Sequence, residues 1–278
     1  MRLDKYLVEA GFVSSRTLAA KLIAAGDVQV NGKVARKASM LVGPEDTLYV
    51  RQSELTEYVS RAGHKLAGAL DAFPDIEVEG KRCLDAGAST GGFTDVLLRR
   101  GARHVAAVDV GHGQLVDALR EEPRVGVYEG LNVRYLKPED IGGQVELTVS
   151  DLSFISLTLV MEALANATET GGDLVLMVKP QFEVGKERLA HGGVVRDPGM
   201  HIESVLTVAA RAHELGVGID AVTASPLPGP AGNVEYFINL HAGRAGTAAD
   251  LVGDALLAET DRAVAEGPAG RRTEGRQP

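Results

Sequence analysis

The chain has 278 residues, 45% hydrophobic and 24% charged, with a formal net charge of −9. That globular balance argues against wholesale disorder, and no apolar run approaches the ~18 residues of a spanning helix, so no membrane association is expected. Its single cysteine, Cys83, excludes an internal disulfide framework and a cysteine-cluster zinc site, and no metal is expected. The first residues lack the apolar stretch and small-residue cleavage site of a secretory signal, so a cytoplasmic location is the simplest expectation.

Net acidity on its own argues against a nucleic-acid partner, because affinity for phosphate rests on Lys and Arg. The distribution reverses that reading. Residues 1 to 42 hold seven Lys/Arg and three Asp/Glu, a net of +4, which leaves −13 for everything after them. A basic head precedes an acidic body.

In the head, Leu3, Tyr6, Leu7 and Ala10 follow a helical spacing up to Gly11. Ser14 is the expected N-cap of a second helix carrying Leu18, Ala19, Leu22 and Ile23 on one face, which Gly26 ends. Val28-Gln29-Val30 alternates as a strand does, and Asn31-Gly32 is a strong hairpin signal because both turn positions need positive φ. Val34 begins the return strand. Arg16 and Lys21, with Lys33, Arg36 and Lys37 beyond the turn, are expected to line one side of this unit. A connector is expected over 54–59.

Past the connector, apolar strands alternate with helices, the signature of βαβ units and a parallel sheet. Strands are predicted around Cys83, Val105–Val108, Val125–Val127, Glu146–Val149, Leu174–Val178, Ile219–Thr223 and Glu235–Leu240. The predicted fold is therefore a doubly wound seven-stranded α/β sheet, with a last strand that returns through a tight Pro/Gly turn at Pro226–Gly232. Ligands of such sheets bind at the carboxyl ends of the strands. A final helix is predicted over 248–265, followed by a disordered-looking tail over 267–278.

The first strand of the body runs into Asp85-Ala86-Gly87-Ala88-Ser89-Thr90-Gly91-Gly92-Phe93-Thr94. A Walker-type phosphate loop would need a lysine before its last Ser/Thr, and Gly92-Phe93-Thr94 has none. A nucleophile elbow, Gly-x-Ser-x-Gly, is matched by Gly87 to Gly91, with His201, His213 and His241 available later as a general base. Its placement is unfavourable, because several strands precede the elbow in hydrolases of that fold. A nucleoside-cofactor site requires an acidic residue ending the next strand, to accept ribose hydroxyls. Asp109 meets this requirement, 22 positions after Gly87, against the ~20 expected. The spacing differs from Gly-x-Gly-x-x-Gly, which favours a cofactor without a pyrophosphate, and S-adenosylmethionine fits.

Polar residues then recur at strand ends: Asp151 after the fourth, Lys179 after the fifth, Glu235 opening the last, with Lys65 just ahead of the first. An amine that closes a buried strand is desolvated unless it has a partner or a task.

Two resemblances attach to these motifs. Arg2-Leu3-Asp4, Ser15-Arg16 and Gly26-x-Val28-x-Val30-Asn31-Gly32 resemble the small RNA-binding domain of ribosomal protein S-four, over roughly residues 1 to 50. Lys65, Asp151, Lys179 and Glu235 resemble the Lys-Asp-Lys-Glu tetrad of RNA ribose 2′-O-methyltransferases of the FtsJ type. With Tyr58 to Leu66, Leu84 to Thr94, Asp109-Val110-Gly111, Ser150 to Leu157 and Lys179 to Glu183, residues 1 to 242 resemble the TlyA, or haemolysin A, family, which methylates ribosomal RNA. His112 departs from the tyrosine expected there.

The resemblance implies an RNA-binding domain over 1–53, a methyltransferase domain over 60–242 and a C-terminal segment over 243–278. It implies S-adenosylmethionine as cofactor and a cytidine of ribosomal RNA, in either subunit or both, as substrate; a monomer is the simpler oligomeric expectation. Gly87, Ser89, Gly91 and Phe93 would carry the cofactor, with Asp109 on its ribose, Asp85 and Asp151 towards its aminoacyl end and Asn132 facing adenine. Arg2, Arg16, Lys21, Lys33, Arg36, Lys37 and Arg61 would contact RNA, together with Lys186, Arg188 and Arg196 on a glycine-rich flap. Lys179 is then either a neutral base or a charged stabiliser of the developing alkoxide. The first role needs an amine that is ordinarily protonated at neutral pH to be held neutral. Asp151 would orient Lys179, and Glu235 would position Lys65. The alternatives are a serine hydrolase acting through Ser89, and a non-catalytic RNA-binding or membrane-lytic protein, for which no basic amphipathic helix speaks.

Overall fold

The computed structural model describes residues 1–10, 12–13, 16–51, 57–189 and 192–270. Ser14 and Ser15, residues 54–56 of the expected connector, the side chain of Lys186 and the end of the tail lie outside the described residues. The chain divides into two units, Met1–Arg61 and Ala62–Pro278.

The first unit packs helices α1 (Leu3–Glu9) and α2 (Arg16–Ala25) on strands β1 (Val28–Val30), β2 (Lys33–Val34) and β3 (Leu48–Val50), in the antiparallel order β2-β1-β3. Leu3, Leu7, Ala19, Leu22, Ile23, Val28 and Val30 form its core, with Tyr6 and Leu18 half-buried against it, while Ala10 of the expected first face is exposed. The hairpin turns at Asn31 and Gly32, with φ of 52° and 75°. The third strand, β3, was not among the sequence expectations. It pairs with β1 at Val28, Gln29 and Val30, and Asn31 reaches it by donating to Asp46 at 2.6 Å and accepting from the Thr47 amide at 2.9 Å.

Asp4 is buried in this unit. Its carboxylate accepts from Arg2 Nε at 2.9 Å and from Arg16 Nη2 at 2.7 Å. Two residues expected on the RNA face thus also have a structural task, although both guanidinium groups stay about half exposed. Lys21, Lys33, Arg36 and Lys37 are exposed.

In the second unit, α3 (Ala62–Ala72) leads into β4 (Arg82–Ala86), α4 (Gly92–Arg99), β5 (His104–Asp109), α5 (Asp117–Arg120), β6 (Val125–Glu129) and β7 (Val145–Ser150). Then come α6 (Met161–Ala167), β8 (Thr168–Val178), α7 (Pro180–Glu183), α8 (Pro198–Glu214), β9 (Val217–Ala224), β10 (Tyr236–Ala242) and α9 (Gly253–Glu266). The sheet order is β6-β5-β4-β7-β8-β10-β9. The pairings from β6 to β8 are parallel, and β10 inserts antiparallel between β8 and β9. Strand periodicity divides the apolar side chains between two faces. Leu84, Ala106, Leu174, Leu176, Ile238 and Leu240 join the core with residues of α6, α8 and α9. The helix expected over 248–265 starts instead at Gly253 and buries Leu256, Ala263 and Val264 in that core.

Two guanidinium groups hold the Asp4 carboxyl far below the usual carboxylate range, Arg2 contributing most. A group depressed in the folded state stabilises above its unfolded pKa, and that stability is lost as pH falls. Asp4→Asn is expected to speed hydrogen exchange of the amides of α1 and α2 at neutral pH while leaving β4 and β5 unchanged. Acidification should then loosen the head of the parent protein more than that of the variant.

Candidate active site

The sheet register brings the strand ends to one edge. Ala86 lies beside Val108 and Ser150, Ser150 beside Leu176, and Val178 opposite Tyr236. Gly87, Asp109, Asp151, Lys179 and Glu235 each sit directly at or beyond these positions. The turn after β4 is anchored by the Gly87 and Ala88 amides donating to Val108 O at 2.8 and 3.0 Å. Gly87 has φ 92°, and a Cβ there would lie 3.0 Å from the Asp151 carbonyl oxygen, so only glycine lets the turn press against the end of β7.

Asp109 accepts from the Ser89 amide at 2.8 Å and the Gly111 amide at 2.7 Å, one on each carboxylate oxygen. It closes one side of a cavity of about 470 Å³ lined also by Gly87, Ser89, Asn132, Asp151 and Ser153. Leu131, Val133, Leu152, Ile155 and Val160 supply apolar wall. Among the described residues the lining includes two carboxylates and no Lys, Arg or His. That donor set suits a cationic nucleoside with ribose hydroxyls and an apolar ring, and it disfavours a phosphorylated ligand. S-adenosylmethionine therefore fits the residues present.

Three residues expected on the cofactor do not line this cavity. Phe93 is 2% exposed and packs its ring 6.1 Å from that of Phe237, joining α4 to the sheet. Gly91 makes room for Leu115 and Leu119, which a Cβ would meet at 2.8 and 2.3 Å of their methyl groups. Asp85 is fully buried beneath the turn's helix, where Thr94 Oγ1 donates to it at 2.7 Å and its other oxygen has no partner. Burial, reinforced by the charges of Asp151 and Asp109, pushes the Asp85 carboxyl up to about 7. Sequence reasoning missed Gln114, which accepts from Ser89 Oγ at 3.2 Å, and the apolar wall. Gln114 follows Asp109 closely in a polar loop, which was the available signal.

The tetrad candidates form two buried ion pairs. Lys65 Nζ lies 2.6 Å from Glu235 Oε2 and Lys179 Nζ lies 2.6 Å from Asp151 Oδ1, both lysine side chains being under 10% exposed. Tyr236 opposite Val178 places Glu235 and Lys179 at the next position of neighbouring strands. Gly68 lets α3 approach the turn between β9 and β10 closely, since a Cβ would fall 2.7 Å from Pro226 Cγ. Gly229 likewise leaves room for Glu235 Oε1.

The loops around the edge are tied to it. Asn233 accepts from the Val195 amide at 3.0 Å and donates to Gly193 O at 3.1 Å. Glu183 accepts from Ser156 Oγ at 2.5 Å and the Leu157 amide at 2.8 Å, linking the segments that follow β8 and β7. Of the expected flap cations, Arg188 forms a two-pronged pair with Glu203 at 2.5 and 2.7 Å, and Arg196 is exposed. Arg61 is also exposed.

The serine hydrolase alternative fails on geometry. Ser89 does adopt a left-handed φ of 47°, but its hydroxyl meets Gln114 and no histidine among the described residues. His201 contacts Val195 O, His213 pairs with Asp250 and His241 with Asp173.

Comparison with known proteins matches a family model described as FtsJ-like methyltransferase over residues 58–242 and an S4 domain over residues 1–48. The 16S/23S rRNA (cytidine-2'-O)-methyltransferase TlyA of Mycobacterium tuberculosis is 53% identical over 96% of this chain and 98% of its own. This chain belongs to the TlyA family of FtsJ-like methyltransferases. The 23S rRNA (cytidine-2'-O)-methyltransferase TlyA of Campylobacter jejuni is 34% identical, over 85% of this chain and 98% of its own. A solved structure of a hemolysin-named protein from Streptococcus thermophilus is 36% identical with a TM-score of 0.74, covering 99% of this chain and 98% of that one. TlyA proteins are S-adenosylmethionine-dependent methyltransferases, in accord with the carboxylate-walled cavity. Among the described residues no helix is long and apolar enough to cross a membrane.

The Asp85 carboxyl is raised on folding, so it stabilises this TlyA fold below its unfolded value and that contribution is lost as pH rises from about 4 through about 7. Asp85→Asn keeps a polar group beside Thr94 without the titration. The variant is expected to lose less of its melting temperature than the parent between pH 5 and 8, measured by calorimetry without cofactor.

Proposed function

We propose that this chain transfers a methyl group from S-adenosylmethionine to the ribose 2′-hydroxyl of cytidines in ribosomal RNA, through the tetrad Lys65, Asp151, Lys179 and Glu235. The observation that carries the reading is a pair of lysine–carboxylate ion pairs, each at 2.6 Å, on the same sheet edge as the carboxylate-walled cavity. The reading is supported by relatives at 53% and 34% identity that are rRNA (cytidine-2'-O)-methyltransferases, the former of both 16S and 23S RNA. We extend both RNAs to this chain and, with a ribosomal substrate, a cytoplasmic site of action.

Bound S-adenosylmethionine supplies the electrophilic methyl group. Asp109 and Asn132 would hold its nucleoside part, and Asp151 would face its cationic end. The ion pair with Asp151 presents Lys179 as a charged donor, which favours stabilisation of the developing alkoxide over proton abstraction. The hydroxyl proton then leaves to water. Glu235 fixes Lys65 beside this centre, where a second positive charge favours the same alkoxide. Holding hydroxyl and methyl in line supplies further acceleration by proximity.

The S4 domain would bring the RNA through Lys21, Lys33, Arg36 and Lys37, since the acidic body offers little to phosphate. Arg61, Lys186, Arg188 and Arg196 are proposed as additional contacts, with Arg188 first released from Glu203.

Lys179→Ala is expected to lower transfer by at least ~100-fold, the scale of removing one preorganised donor. Calorimetric affinity for S-adenosylmethionine should change little, and mass spectrometry of each ribosomal subunit should map the 2′-O-methyl cytidines lost. Replacing Lys33, Arg36 and Lys37 by Gln should reduce the slope of log affinity for ribosomal RNA against log salt by about two to three. Cofactor affinity should be unaffected, and an unchanged slope would remove the head from the RNA interface.

A further inference from the structure

Lys179 has a neighbour outside the tetrad. Its Nζ donates a hydrogen bond to Ser153 Oγ at 2.9 Å. Its contact with Asp151 Oδ1 is shorter, at 2.6 Å, but falls outside hydrogen-bond geometry, and that oxygen has no hydrogen-bond partner. The two acceptors therefore do different things. Asp151 supplies an opposite charge without fixing where the N–H bonds point, because an ion pair depends weakly on angle. Ser153 supplies an aligned acceptor, and a hydrogen bond weakens steeply when misaligned.

Rotation about the Cε–Nζ bond is the last freedom of a lysine side chain whose stem is packed, and Lys179 is 7% exposed. One aligned N–H bond removes that freedom and fixes the remaining two N–H directions. Ser153 is itself exposed and lines the cofactor cavity, so the bond lies on the open side of the ammonium. The backbone supports this placement. Phe154, the next residue, takes a left-handed φ of 65° and rests its ring 5.4 Å from that of Phe182. Glu183 fastens the same loop further on, at Ser156 and Leu157. Ser153 thus stands on a loop whose following residues are held against the segment just after Lys179.

We propose that Ser153 is a positioning residue for methyl transfer, which orients the Lys179 ammonium so that a free N–H faces the ribose oxygen. This rests on Lys179 being the group that acts on that oxygen. Ser153 touches neither proton nor methyl in the reaction; it acts through Lys179.

The test compares Ser153→Ala, Ser153→Thr and Lys179→Ala in the full-length protein, with ribosomal subunits and S-adenosylmethionine. Ser153→Ala is expected to lower kcat roughly ten- to a hundred-fold, the scale of a small misplacement at a reacting centre. Its KM for RNA and its calorimetric cofactor affinity should stay within about two-fold of the parent values, since the variant removes one hydroxyl and leaves the cavity's carboxylates and apolar wall in place. Ser153→Thr keeps the acceptor and should recover most of kcat. Retained cofactor binding also shows that each variant is folded. Unchanged kcat in Ser153→Ala beside an inactive Lys179→Ala overturns the inference alone. A loss in Ser153→Ala that threonine does not relieve, or a loss confined to KM, also overturns it. Full activity in Lys179→Ala overturns the reading on which it rests.

Discussion

A charged side chain buried at a sheet edge costs several kcal/mol unless an opposite charge meets it. Lys65, Lys179 and Glu235 are all buried at that edge, and each meets its opposite, with Asp151 as the fourth member. Lys65 and Glu235 are 170 residues apart in sequence, so that pair exists only if the whole sheet closes between them. Breaking either pair would strand a buried charge, which couples the integrity of the site to the integrity of the fold.

The inserted strand β10 is what allows this. A seventh strand added in parallel at the outer edge would carry Glu235 away from Lys179. Running antiparallel between β8 and β9, β10 instead begins at the carboxyl end of β8, and Glu235 enters the row already formed by Gly87, Asp151 and Lys179. Close approaches at Gly68 and Gly229 then let α3 and the 226–232 turn seat the pair. Around the row, Asn233 and Glu183 fasten loops that would otherwise move independently of the strands.

The two units differ in their electrostatics. In the second unit two carboxylates line the cavity and favour a cation there, whereas the head, built on its own small core, exposes Lys21, Lys33, Arg36 and Lys37. The positive charge of this acidic member of the TlyA family is gathered in its first 42 residues, a net of +4 against −13 for the rest. The buried Asp4 shows that the basic composition of the head also serves its own folding, because Arg2 and Arg16 neutralise that carboxylate.

Much was legible from local pattern. Alternation and the glycine turn located the parallel strands, Asn31-Gly32 located the hairpin, and the interval from Gly87 to Asp109 picked out two residues that line one cavity, because each of these depends on residues close in sequence. What local pattern left open was direction. Asp85, Gly91 and Phe93 share the motif with Gly87 and Ser89, yet Phe93 turns to Phe237, Gly91 to Leu115 and Leu119, and Asp85 into the protein beside Thr94. Strand β3 has only three residues and needs β1 to exist as a strand at all. Ser153 looked like one polar residue in a motif until its loop was folded onto Lys179. Sequence by itself determined which strands and turns form and which residue types stand at their ends, since propensity and periodicity act over a few residues. Only the tertiary structure decided which of those side chains face the cavity, which are buried beside it and which pair with one another, because those outcomes depend on partners brought together across the sheet.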